Sequence, residues 1–244
     1  PRSCSSAASD VYKRQWGLNT FIWYESFGFS ESSYQNHYYK DGEQYKPFEG
    51  RNAIMNLGFM TTLQFPQLET FSGSIKYGYG KDPNYQEWAP GLIDLIEMKL
   101  FWNPTDQLRV NFRLNQQKNT RPDNGGVVSS ATVPRLKVEY QLSKSLFLRF
   151  VGQYNSSFRD SLNDSSRDGL PIYFKNSDGT FSRALKQESN NLQADFLFSY
   201  RPMPGTLIFV GYGSSLEEPE RYSFSRLERR SDGFFIKLSY LYRL

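Results

Sequence analysis

The sequence predicts an all-β fold, an antiparallel transmembrane β-barrel with about ten strands in this chain. Three observations predict it. The first is a two-residue period with one apolar face. In residues 135–150, Leu136, Val138, Tyr140 and Leu142 alternate with Arg135, Lys137, Glu139 and Gln141. After Ser143, Lys144 and Ser145, the apolar face resumes with Leu146, Leu148 and Phe150, and Arg149 and Gln153 fall on the other. Such a period places each set on its own face of a strand. The second is the alternation of short and long connections along the chain. The third is the placing of aromatic residues at both ends of the apolar faces.

Taken in order, residues 16–29 are aromatic and strand-like with blurred alternation, and residues 30–50 are polar and read as a long loop. Residues 52–63 form a strand with Ala53, Met55, Leu57 and Phe59 on one face. Residues 64–67 turn around Pro66, and residues 68–80 return with Phe71, Ile75, Tyr77 and Tyr79 opposite Ser72, Ser74 and Lys76. Two prolines mark 81–91 as a loop. Residues 92–102 then set Ile96, Met98, Leu100 and Trp102 against Glu97 and Lys99. Asn103, Pro104, Thr105 and Asp106 make a tight turn. In residues 107–117, Leu108, Val110, Phe112 and Leu114 alternate with Arg109, Asn111, Arg113 and Asn115. Residues 118–130 are polar and read as a loop, and the hairpin described above runs to about Asn155.

Residues 156–189 form the longest loop, with a small hairpin of 172–174 and 180–182 around Asn176, Ser177, Asp178 and Gly179. Residues 190–201 carry Leu192, Ala194, Phe196, Phe198 and Tyr200 opposite Gln193, Asp195 and Ser199. A Pro-Met-Pro-Gly turn follows, then a strand at 206–212, a charged loop at 214–231 and a final strand at 233–244. Counted back from the C-terminus, long and short connections alternate strictly, as the loops and turns of outer-membrane barrels do.

A charge facing lipid near mid-bilayer costs roughly 2 to 4 kcal/mol. The uncharged faces are therefore expected to meet lipid. The opposite face, with Arg109, Arg113, Lys137, Glu139, Arg149, Asp195 and Lys237, is expected to line a lumen. Its mixed charge is compatible with a water-filled passage or with a salt-bridged, plugged interior. Trp102, Tyr140, Tyr200 and Tyr242 are expected to form one interfacial girdle, and Tyr77, Tyr79, Tyr154 and Tyr212 the other.

Composition agrees. Hydrophobic residues make up 38% and aromatics 17%, with 17 Tyr and 20 Phe. That is too polar for a helical membrane protein but adequate for strands with one apolar face. The formal charge of +4 is spread without a basic block, so nucleic acid is not an expected partner. One Cys and one His exclude a Cys/His zinc centre or disulfide framework within the chain, and no cofactor is expected.

Residues 5–15 match the translation of a common sequencing adapter, so residues 1–15, including Cys4, are set aside and 16–244 are read as the C-terminal portion of a larger barrel. The ending, from Lys237 through Ser239 and Tyr242 to Leu244, resembles the strand signal read by the barrel-assembly machinery. Two stretches resemble a bacterial family, domain of unknown function 5916. They are the run from Tyr200 to Thr206 (YRPMPGT) and that from Ser231 to Arg243 (SDGFFIKLSYLYR). The resemblance implies a bacterial outer-membrane β-barrel behind a domain similar to carbohydrate-binding module family 9. It implies no reaction and no ligand residue for this chain.

Candidate chemistry is sparse. His37 near Asp41 and Glu43 lacks a rigid element to build a catalytic site, and a solvated histidine is the expectation. Asp164, Asp168 and Asp178 match no EF-hand spacing, and turn formation accounts for them. Arg226, Arg229 and Arg230 can meet lipopolysaccharide phosphates or be neutralised by Glu217, Glu218 and Glu220 in the same loop. The leading expectation is a surface protein, not an enzyme, that binds or admits carbohydrate or another polymer-derived nutrient. The C-terminal half of a TonB-dependent receptor is the alternative, and an integral outer-membrane hydrolase the third.

Overall fold

The computed structural model describes residues 15–165 and 168–241. Its strands are β1 (Gly17–Phe27), β2 (His37–Asp41), β3 (Gln44–Pro47), β4 (Ile54–Gln64), β5 (Phe71–Asn84), β6 (Ala89–Trp102), β7 (Leu108–Thr120), β8 (Val127–Ser143), β9 (Leu146–Arg159), β10 (Ile172–Lys175), β11 (Phe181–Arg183), β12 (Gln187–Tyr200), β13 (Thr206–Glu218) and β14 (Glu228–Tyr240). Ten of them form one antiparallel meander, in the order β1-β4-β5-β6-β7-β8-β9-β12-β13-β14. The other four make a small sheet, β11-β10-β2-β3, built from the two longest insertions. The ten-stranded sheet is open: β1 and β14 are its two edges and do not pair with each other.

The connections fall on two rims, but their lengths do not alternate strictly. One rim holds 65–70, 103–107, 144–145 and 201–205; the other holds 28–53, 85–88, 121–126, 160–186 and 219–227. The loops expected at 81–91 and 118–130 shrink because the ladders run on past the point where apolar alternation stops. Lys81 pairs with Leu92, Lys118 with Ser130, and Pro83 stands opposite Pro90. Two prolines can face each other only where neither nitrogen has to donate to the ladder. Pro134 has the opposite effect inside β8: the pairing with β9 passes from Thr132 to Arg135 and skips the residues between.

Segment 30–50 is likewise not a loop throughout. It holds β2 and β3 around Gly42, whose φ of 61° supplies the tight turn. β2 pairs with β10, so the hairpin expected at 172–182 becomes half of a small sheet. Under it lies a buried cluster of Phe29, Tyr34, Phe48, Ile54, Trp88 and Ile172, with Phe27 and Leu162 packed against it. Thus the hydrophobic core among the described residues sits at the rim, not on the large sheet.

A second feature of that rim is a buried ion network. Glu87 is 0% exposed and accepts hydrogen bonds from Arg121 Nε and Nη2, from Asn84 Nδ2 and from the Asn163 backbone N–H. Arg121 also donates to Asp160 through Nη1 at 2.8 Å and to the Ser161 carbonyl. Three connections are thereby tied together. Further along the rim, the β13–β14 connection lies as a strap across the apolar face. Arg221 donates to Thr132, and Tyr222 stacks on Tyr154 at 4.9 Å between centroids and donates its N–H to the Tyr154 hydroxyl. Beneath the strap, Thr132, Ser156, Asn190 and Glu218 form one cross-strand row, and all are buried.

Candidate functional site

Residues directly opposite each other on antiparallel strands share a face. The pairings therefore sort every side chain of the large sheet. One face carries Leu63, Ile75, Met98, Leu114, Pro134 and their neighbours, strand after strand. On β6 it is apolar from Trp102 to Ile96 and becomes charged only at Asp94; on β7 it is apolar from Leu108 to Leu114, with Lys118 the first charge; on β14 it runs from Tyr240 to Phe234 before Asp232. Along the strands this belt is seven to nine residues long, about 23 to 30 Å. Among the described residues no second layer covers it. Leu57 is 55% exposed, Phe196 52%, and Phe234 and Leu238 66% each.

The other face carries the charged and amide side chains, with apolar ones such as Phe101, Val151, Leu197 and Phe235 among them. All seven residues expected to line a lumen fall on it. Arg109 opposes Glu139, which opposes Arg149; Asn111 opposes Lys137, which opposes Val151 and, beyond it, Asp195. Arg113 opposes Arg135, and Lys237 opposes Phe209. Ion pairs on this face include Lys76 with Glu97 at 2.9 Å and Lys137 with Glu139 at 3.0 Å. A depression of about 220 Å³ opens among Phe101, Asn111, Arg113, Arg135 and Lys137, and a larger one of about 560 Å³ adjoins it through Arg135 and Lys137 and reaches Arg149 and Asp195.

The aromatic residues separate into two levels. Trp102 and Tyr200 end their strands at the short-turn rim and Tyr140 lies three residues from the end of β8. Tyr77, Tyr79 and Tyr212 lie six to eight residues further along, and are 39%, 42% and 39% exposed. Tyr242 falls outside the described residues. Tyr154 differs from the expectation. It is buried beneath the strap, donates to Glu218 Oε2 at 2.7 Å, and meets Phe224 as well as Tyr222.

The remaining candidates are drawn into structure. His37 lies in β2, not in a loop, with its ring 4.3 Å from that of Trp88. Burial lowers its pKa below the ordinary imidazole value. Asp41 is paired with Lys46 across the β2–β3 turn, so it does not orient His37. Asp178 Oδ1 accepts from the Thr180 N–H and hydroxyl, and Asp168 from the Leu170 N–H, both as turn-forming contacts. Among the described residues no three His, Cys, Asp or Glu side chains gather as metal ligands. Arg229 pairs with Asp232 at 3.3 Å and Arg230 pairs with Glu217, both within β13 and β14. Arg226 lies in the preceding connection.

Glu87, Arg121 and the Lys99–Arg113–Arg135 alignment were not singled out by pattern reading. The run from Asn84 to Glu87 carried one usable signal: Asn84 Oδ1 accepts the Gln86 and Glu87 N–H groups, a side-chain turn typical of Asn. No protein-family model, curated protein or solved structure matches the chain, so the family resemblance stands on its two motifs alone.

Proposed function

We propose that this chain forms part of the wall of a β-barrel in a bacterial outer membrane, within a protein that binds or admits a polymer-derived nutrient such as carbohydrate. The observation that carries the wall reading is the uncovered apolar belt, continuous over ten strands and free of charge between its two rims. A water-facing sheet would have to leave that area solvated or bury it under a second layer. Lipid satisfies it directly, while the opposite face keeps its charges in water. The nutrient part of the reading rests on the family resemblance.

The test is alternation of environment along β7. In a Cys4→Ser background, Asn111→Cys, Phe112→Cys and Arg113→Cys are labelled with an environment-sensitive dye and the chain is reconstituted in phospholipid vesicles. The dye at position 112 is expected to emit in the blue-shifted, lipid-like range and the dyes at 111 and 113 in the aqueous range. Equal emission at all three positions would overturn the wall reading.

A further inference from the structure

Where two charged residues of the polar face stand directly opposite, they are mostly cation against anion: Lys76 faces Glu97, and Glu139 stands between Arg109 and Arg149. One row breaks this rule. Lys99 of β6 faces Arg113 of β7, which faces Arg135 of β8, so three cations lie side by side on consecutive strands. Like charges directly opposed destabilise a sheet. Their separation is about 5 Å between neighbouring Cα atoms. The nearby carboxylates are engaged: Glu97 bridges to Lys76 and Glu139 to Lys137. No ion pair holds Lys99, Arg113 or Arg135 among the described residues. The row is also not flat. Arg113 and Arg135 wall the 220 Å³ depression with Lys137, Asn111 and Phe101, a space of about seven water volumes.

We propose that this row is a binding site for oxyanion groups carried by a solute at the polar face: carboxylate, sulfate or phosphate. Two guanidinium groups can each present a planar pair of donors to such a group, which a lysine cannot do alone. Asn111 adds an uncharged donor, and the Phe101 ring gives an apolar wall for a sugar ring. The adjoining 560 Å³ depression shares Arg135 and Lys137, so a chain of linked anionic units can run from one depression into the next toward Arg149. The substrate class that follows is an anionic saccharide or a polyphosphorylated solute. As a substrate for a passage this rests on the wall reading, whereas the binding itself requires only the folded sheet.

The test uses the full chain in a neutral detergent with pyranine, a fluorescent trisulfonate, as probe. Anisotropy is expected to rise on binding. Arg113→Gln/Arg135→Gln is expected to weaken binding tenfold or more, and Lys99→Gln alone severalfold. Lys40→Gln/Lys175→Gln removes the same charge from the rim sheet and is expected to change binding less than twofold. Displacement by trigalacturonate alone identifies a carboxylate saccharide; displacement by tripolyphosphate alone identifies a phosphate solute; displacement by both supports the shared chemistry. Equal weakening by the two double variants, or no displacement by either competitor, overturns the proposal. Failure here with the expected dye alternation on β7 would leave the wall reading standing.

Discussion

Phe112→Arg is the sharpest single perturbation of the apolar belt. Phe112 lies between Leu100 and Leu136, its direct cross-strand neighbours, and is the third of four outward apolar residues on β7. It lies four residue steps from Leu108, about 13 Å along the strand, which sets it well inside the belt. In lipid, an arginine at that depth costs roughly 2 to 4 kcal/mol. In water the same exchange at a half-exposed position is worth about 0.5 kcal/mol or less. The two environments therefore differ by more than a factor of ten in the folding equilibrium. Asn115→Arg is the control, because it puts the same side chain on the opposite face, directly across from Glu97. The assay is urea unfolding in phospholipid vesicles, with gel mobility before and after heating to report the folded form. Equal midpoints for Phe112→Arg and Asn115→Arg would refute the face assignment.

Two more predictions concern the rim. Glu87→Gln removes the charge that holds Arg121 in a buried site, and breaking such a pair typically costs about 3 to 5 kcal/mol. Amide exchange should accelerate at residues 84–89 and 160–163, and unchanged exchange there would show that Asp160 suffices to hold Arg121. The small sheet should also be acid-sensitive. Burial lowers the pKa of His37, so the unfolded segment takes up a proton first as pH falls through about 6.5. Stability of the sheet is therefore complete above that value and declines below it, until the folded-state pKa is passed. Trp88 fluorescence between pH 8 and 5 should report this loss, and His37→Phe should remove the pH dependence.

The two faces of the large sheet were legible because most of its strands, β1 excepted, state them locally. Leu108 to Leu114 against Arg109 to Asn115 needs no partner to be read, and neither does the Asn176–Gly179 turn. What was not legible depends on register or on distance. Tyr34, Phe48 and Trp88 stand in polar stretches with no period, and they meet Phe29 and Ile172 only when 28–53, 85–88 and 160–186 converge. Glu87, Arg121 and Asp160 come from three separate connections. Lys99, Arg113 and Arg135 each read as an ordinary charge on the polar face; their opposition follows from turn lengths at 103–107 and along β7 to β8, which set the register. Polarity also misplaced the strand ends at 81–91 and 118–130, because a ladder can continue where both faces are polar.

The strap of the β13–β14 connection has a consequence for depth. Thr132, Ser156, Asn190 and Glu218 continue the outward face above the belt and offer hydroxyl, amide and carboxyl groups where alkyl chains would otherwise reach. By closing over them the chain supplies its own partners, Arg221 donating to Thr132 and the Phe224 N–H to Glu218, so that a wall of the kind proposed would not turn a bare polar row to lipid. In the wall proposed above, the strap would act as a collar, setting how far the sheet sinks along the bilayer normal on the side of β8 to β13, where its contacts to Thr132, Tyr154 and Glu218 lie.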